Sequence, residues 1–130
     1  MEPWAAVVTG FFAGIFYLLG SWLLVWIRLD DAVDAVPVHL VNGIWGLIAT
    51  GMFASPMRLE QAFGANDHPG VVYGQGGTLL GAQLVGALFI LGWTLCTMAP
   101  FFLVLEYFRM FRTAAVDEVV GLDQNLHGEF

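Results

Sequence analysis

The sequence predicts an all-α, polytopic membrane protein with three transmembrane helices and a short cytoplasmic tail. Two observations carry this. Hydrophobic residues make up 58% of the 130 and charged residues only 12%, against about 45–50% and about 25% in soluble domains, and mean hydropathy is +0.76. A water-soluble fold of this size could not hide that much apolar surface. The apolar residues also gather into three uncharged runs, each long enough to cross the roughly 30 Å hydrocarbon core as a helix.

The first run, Trp4 to Ile27, has 24 uncharged residues and predicts a helix over about 4–27. It has no basic n-region and is too long for the h-region of a signal peptide. The second, Ala35 to Met57, has 23 residues with only His39 ionisable, and predicts a helix over about 36–55. Between Pro69 and Leu105 lies the third. Pro69 and the glycines of "GVVYGQGG" mark a loop or re-entrant entry, and the helix runs over about 78–111. That is longer than the bilayer core, so it must tilt, kink or project, with Pro100 as the kink point. Residues 1–113 then form the transmembrane domain and 114–130 the tail.

Arginine sets the orientation. Lysine is absent, and Arg28, Arg109 and Arg112 fall on one side of a three-span chain with Arg58 on the other. The excess belongs in the cytoplasm, and the C-terminus with it. A net charge of −7 argues against nucleic acid, which needs a basic patch. One cysteine, Cys96, excludes an internal disulfide. No enzyme, cofactor or metal motif emerges. "GQGGTLLG" lacks the lysine of a phosphate loop, and Asp123 with His127 are two ligands without a third.

Small residues suit close helix packing. Gly10 and Gly14 are four apart, as are Gly77 and Gly81. "WAAVVTGFFA" and "WGLIATGMFA" share Trp, Thr-Gly, Phe and Ala at the same offsets, 41 residues apart. This echo reads as similar packing chemistry rather than a functional repeat.

The second span carries the chemistry. Steps of one helical turn from His39 reach Asn42, Gly43, Gly46 and Thr50, so one face is polar or small and the rest apolar. Gly43 and Gly46 are candidate helix-packing positions on that face. Hydrocarbon satisfies neither nitrogen of a neutral imidazole. Two roles fit His39: an interhelical hydrogen bond, or a pore-lining, proton-handling group. Asp30, Asp31 and Asp34 precede it, with Pro37 suited to a first helical turn. They read either as a solvated, helix-capping cluster or as carboxylates ordering the inner end of a conduction path. Asp34 lies about 140° round the helix and about 7.5 Å along it from His39, too far to pair with the ring.

Four ordered blocks carry a family resemblance: "EPWAA", "DDAVDAVPVHLVNGIWGLIATGMFA", "YGQGGTLLGAQ" and "DEVVGLDQNLHGE". With them the chain resembles the C-terminal third of ammonium transporters of the Amt/Mep/Rh family, nearest the Amt branch. The resemblance implies the last three of about eleven helices, a homotrimer with one pore per subunit, and ammonium or ammonia as permeant. His39 matches the second of two pore histidines that handle ammonium deprotonation and proton relay. Asp31 and Asp34 match acids that support the pore's inner end. Gly121, Asp123, His127 and Gly128 match a cytoplasmic regulatory tail. It also implies the plasma membrane, and makes Met1 an internal position or a truncated start. Leu40, Val41 and Asn42 stand where glycine usually follows the histidine, and Pro37 is also unusual. The alternative reading is a truncated, non-conducting regulatory or structural subunit that joins full-length transporters.

Overall fold

The computed structural model describes residues 1–112, which divide into two compact units, Met1–Phe89 and the residues from Ile90 onward. Among the described residues there are helices and turns but no strand. Helix α1 is Pro3–Trp26 and α2 is Asn42–Phe53, preceded by a π-helical segment, Val36–Val41. A short helix α3, Pro56–Phe63, and a 3₁₀ turn, Val71–Tyr73, occupy the link to α4, Thr78–Tyr107. Three helical stretches are long and apolar enough to cross a membrane: α1, Val36–Phe53 and α4. Their apolar surface is mostly uncovered, as lipid or partner helices require: none of the most apolar window of α4 is buried.

The core of the first unit is small and lies between α1 and α2. Ala5 and Ala49 are fully buried, Phe53 nearly so, and Val8, Trp45 and Met52 pack around them. Here the sequence echo acquires a physical meaning. Trp4 meets Phe53 edge to face, with centroids 5.8 Å apart. Trp45 meets Phe12 in the same manner at 5.9 Å. Each Trp of one copy thus packs on the Phe of the other, as the offsets within two antiparallel helices demand. The echo extends to Thr9 and Thr50, whose hydroxyls donate to the carbonyls of Ala5 and Gly46, four residues back. Trp45 adds a bond from its Nε1–H to the Thr9 carbonyl at 2.9 Å.

Within the described residues, the glycines against which another element packs closely are Gly20, Gly51 and Gly70. A Cβ on Gly10, Gly14, Gly43, Gly46, Gly77 or Gly81 would meet nothing within 4 Å. A Cβ on Gly51 would lie 2.7 Å from the Cα of Leu80, where α4 begins against α2. One on Gly70 would run into the backbone of Met52 and Ala54. Gly70 N–H instead donates to the Ala54 carbonyl at 2.8 Å, with Pro69 beside it fully buried. Gly20 faces Pro37, whose Cβ would be 3.2 Å away from an added methyl.

Helix ends depart from the expected boundaries for local reasons. The second span is not one uniform α-helix, because it opens as a π turn. The third ends at Tyr107 rather than near 111, by a Schellman closure: Arg109 N–H donates to the Glu106 carbonyl and Met110 N–H to that of Leu105. Helix α1 closes identically, with Arg28 N–H on Val25 and Leu29 N–H on Leu24. Glycine normally fills the left-handed position of this motif, yet here Arg28 and Arg109 hold it, at φ 58° and 55°. Between spans two and three, the expected plain loop contains α3. Pro56 starts that helix and Gly64, at φ 69°, ends it.

One polar tie joins the start of α1 to the link after α2. The Glu2 Oε1 accepts from the Ser55 hydroxyl at 2.9 Å and pairs with the Arg58 Nε at 3.3 Å. The Ser55 bond is the main cause holding the Glu2 carboxyl below its ordinary 4.5; partial burial opposes it, and Arg58 adds to the lowering. A depressed carboxylate stabilises the fold above its unfolded pKa and loses that contribution as pH falls through its folded value. We therefore expect Glu2→Gln to lower the thermal midpoint of the full-length protein at neutral pH. The gap from wild type should close as the pH is brought below 4.5. A gap unchanged by acid would show that the charge of Glu2 contributes nothing.

Candidate functional site

The link between α1 and the second span is organised by its acids. The two carboxylate oxygens of Asp31 accept from the backbone N–H groups of Ala35 (2.9 Å) and Val36 (2.7 Å). These would otherwise be orphan donors at a helix start, so Asp31 caps the second span. Asp34 has a left-handed backbone, φ 53°, a conformation its short polar side chain tolerates better than most. Its carboxylate accepts from the Tyr17 hydroxyl at 2.8 Å and the Ser21 hydroxyl at 3.1 Å, both on α1. Asp34 thus fastens the link sideways to α1, while its carbonyl accepts from Val38 N–H at the start of the span. Asp30 is exposed.

Tyr17 and Ser21 were not among the residues marked by sequence. Their signal is two hydroxyls four apart on one face of an otherwise apolar helix, a polar pair that hydrocarbon does not satisfy. Removing the carboxylate should be costly. Asp34→Ala loses both charge-assisted bonds and leaves alanine in the left-handed region, whereas Asp34→Asn retains the turn and one acceptor oxygen. We expect the alanine variant to lose about 3–5 kcal/mol and the asparagine about 1.5–3 kcal/mol. Chemical denaturation of the full-length protein measures both. A loss in the alanine variant with none in the asparagine variant would mean that the charge of Asp34 adds nothing to its bonds with Tyr17 and Ser21.

His39 lies inside the π segment, two residues after the fully buried Pro37. A π turn carries i→i+5 bonds, and Asn42 N–H indeed reaches the Pro37 carbonyl. Such turns are rare and recur at functional sites. His39 is exposed, as are Gly43 and Thr50, while Asn42 and Gly46 are half-buried. His39, Gly43 and Thr50 therefore lie on the open side of the span, while Asn42 and Gly46 lie nearer the side of the Ala49 core. A Cβ on either glycine meets nothing, so no other element of the described residues crowds these two positions. Thr50, at the far end of the span, also borders a hollow of about 520 Å³ lined by Ala54, Arg58, Gln61 and Phe63 among others. The Asn42 Oδ1 is buried and meets no donor among the described residues. His68 is exposed.

The structure therefore joins Asp34 to α1 and Asp31 to the helix start, so both carboxylates are engaged away from His39. Among the described residues, no three His, Cys, Asp or Glu side chains converge in a way that could hold a metal. Gly121, Asp123, His127 and Gly128 lie outside the described residues.

Comparison with known proteins places this geometry in context. The family model described as "Ammonium Transporter Family" matches residues 1–130. "Ammonium transporter 1 member 1" of Solanum lycopersicum is 38% identical, over 100% of this chain and 27% of its own length. "Ammonium transporter 1 member 2" of Oryza sativa subsp. japonica is 40% identical over 100% and 26%. "Ammonium transporter 3" of Dictyostelium discoideum is 40% identical over 98% and 30%. The chain thus spans between a quarter and a third of the length of these curated relatives. No solved structure matches it.

Proposed function

The chain belongs to the ammonium transporter family, and from that premise we propose that it forms part of a pore carrying ammonium across a membrane. We read it as the C-terminal third of such a protein, with the second span as the wall that bears the chemistry. One observation supports this above others. The ionisable ring of that span is exposed on the same face as Gly43 and Thr50, in a chain matched by the family along its whole length.

Ammonium carries its hydration at a large desolvation cost into a narrow apolar passage. A neutral imidazole at His39 can accept its proton, so that ammonia crosses the dry segment and the proton is relayed separately through a second histidine elsewhere in the fold. Gly43 and Gly46 leave room beside the ring. Asp31 and Asp34 serve architecture rather than proton transfer: they fix where the π turn begins and hence where His39 points. The same reading makes the functional unit a homotrimer in the plasma membrane. Its C-terminus is then cytoplasmic, and the segment with Gly121, Asp123, His127 and Gly128 is a regulatory tail.

Uptake of isotopically labelled ammonium by cells that lack their own carriers tests the reading. The full-length protein should confer saturable uptake. A protein that reaches the membrane, co-purifies with an active transporter and confers no uptake would replace this reading with that of a non-conducting subunit.

A further inference from the structure

We propose that Gly20 and Pro37 are positioning residues whose contact holds the π turn and thereby aims the His39 ring, an inference resting on the pore role proposed for that ring. Helix α1 is regular, and one stripe of it meets the second span along its length. Ala5 shares the small core with Ala49 and Phe53. The Thr9 carbonyl accepts from the Trp45 indole, and Phe12 and Phe16 pack on that ring at 5.9 and 5.1 Å. Gly20 faces Pro37. Steps of three and four residues keep these α1 positions on one side of the helix.

The second span matches this stripe only by breaking its own regularity. Phe53, Ala49 and Trp45 follow one another at helical spacing. Seven residues make about 700°, almost two turns, so an unbroken α-helix would bring Val38 to the seam next. Instead Pro37 lies there, fully buried, while Val38 is 44% exposed. The π segment Val36–Val41 absorbs the extra residue. In the unbroken helix His39 would follow the seam residue directly, at about 100° from it. With Pro37 at the seam, the ring is two residues on and turned to the side away from α1, where it is exposed. The slack is trapped between two fixed ends. Asp31 and Asp34 tie down the chain before the turn, and Trp45 is anchored after it. Gly20 admits Pro37 between them. A Cβ there would stand 3.2 Å from the Pro37 Cβ and 3.5 Å from its Cα and Cγ, and a locked proline ring cannot rotate away.

The test uses full-length protein and reads labelled-ammonium uptake, its pH profile, the thermal midpoint and the direction of the His39 ring in a cryo-EM map. Deleting Val38 lets an unbroken α-helix keep Pro37 and Trp45 on the seam, but leaves His39 one residue from Pro37. Deleting Leu40 removes the π turn equally and leaves His39 two residues from Pro37. The two deletions should unfold at similar temperatures. Loss of Val38 should lower maximal uptake about 10²-fold, the scale of a misplacement of about 1 Å in a reacting group, and loss of Leu40 far less. Should neither deletion fold, Gly20→Ala decides: the ring should turn, uptake fall and its pH profile change. Gly20→Ala with Pro37→Gly, which moves the packed carbon to the other helix, should recover most of the uptake. An unturned ring with wild-type uptake in Gly20→Ala would overturn the proposal, as would equal uptake losses in two folded deletions. A ring that turns while uptake stays at the wild-type level would leave the contact standing and overturn the pore role of His39 instead.

Discussion

If His39 takes the proton of the permeant as proposed, His39→Ala in the full-length protein should lower ammonium uptake by about 10²–10⁴-fold, the range a positioned acid–base group contributes, while the thermal midpoint should barely move. The two halves of this expectation have separate physical grounds. Transport suffers because alanine offers no proton acceptor, and ammonium must then enter the apolar passage with its charge. Within this chain His39 is exposed, and substitutions at such positions usually stay within about 0.5 kcal/mol. Uptake and thermal unfolding measured on the same preparation separate the outcomes. Intact uptake in a well-folded variant would remove His39 from the pore chemistry. A joint collapse of uptake and stability would make it an interhelical tie instead.

The second large effect concerns packing, and it falls on glycines with no chemistry of their own. Gly51→Ala places a methyl 2.7 Å from the Cα of Leu80. Gly70→Ala drives one into the backbone between Met52 and Ala54. In both cases the obstacle is main chain, which cannot rotate aside, so α4 or the Pro69–Gly70 turn must shift. We expect each variant to lose about 1–3 kcal/mol, as overpacked interiors do. Gly70 should be the worse of the two, because displacement there also strains its bond to Ala54. Gly43→Ala is the contrast: its methyl meets nothing, so stability should be unchanged or slightly higher, as alanine favours a helix over glycine. If Gly43 borders the pore, that same variant should still reduce uptake. Chemical denaturation of the three variants checks the order, and wild-type stability in Gly51→Ala would show that α4 does not hold this close approach.

Several features were legible because their causes are local. Three apolar runs announce three spanning helices without any knowledge of partners, since hydropathy is summed along the chain. Pro37 indicated a helix start, and Asp31 acts as one of the caps anticipated for that acid cluster. Other features depend on what lies across space. Asp34 could be said not to pair with His39, but its partners Tyr17 and Ser21 are 17 and 13 residues away in sequence. No periodicity links them. The echoed Trp and Phe positions were visible as a pattern and acquired meaning only as reciprocal ring contacts between antiparallel helices.

The sequence by itself determined the class of this protein: a helical membrane chain of the ammonium transporter family, with one histidine and a group of aspartates at the second span. Composition, charge and ordered motifs suffice for that, because each is a property of residues counted or aligned along the chain. Only the tertiary structure decided which glycines are indispensable, which hydroxyls hold Asp34, and that His39 sits in a π turn on an open face. Those outcomes turn on distances of a few ångströms between residues far apart in sequence. A missing methyl matters at Gly51 and Gly70 because a backbone fills its place, and not at Gly43 and Gly46, where no described residue approaches.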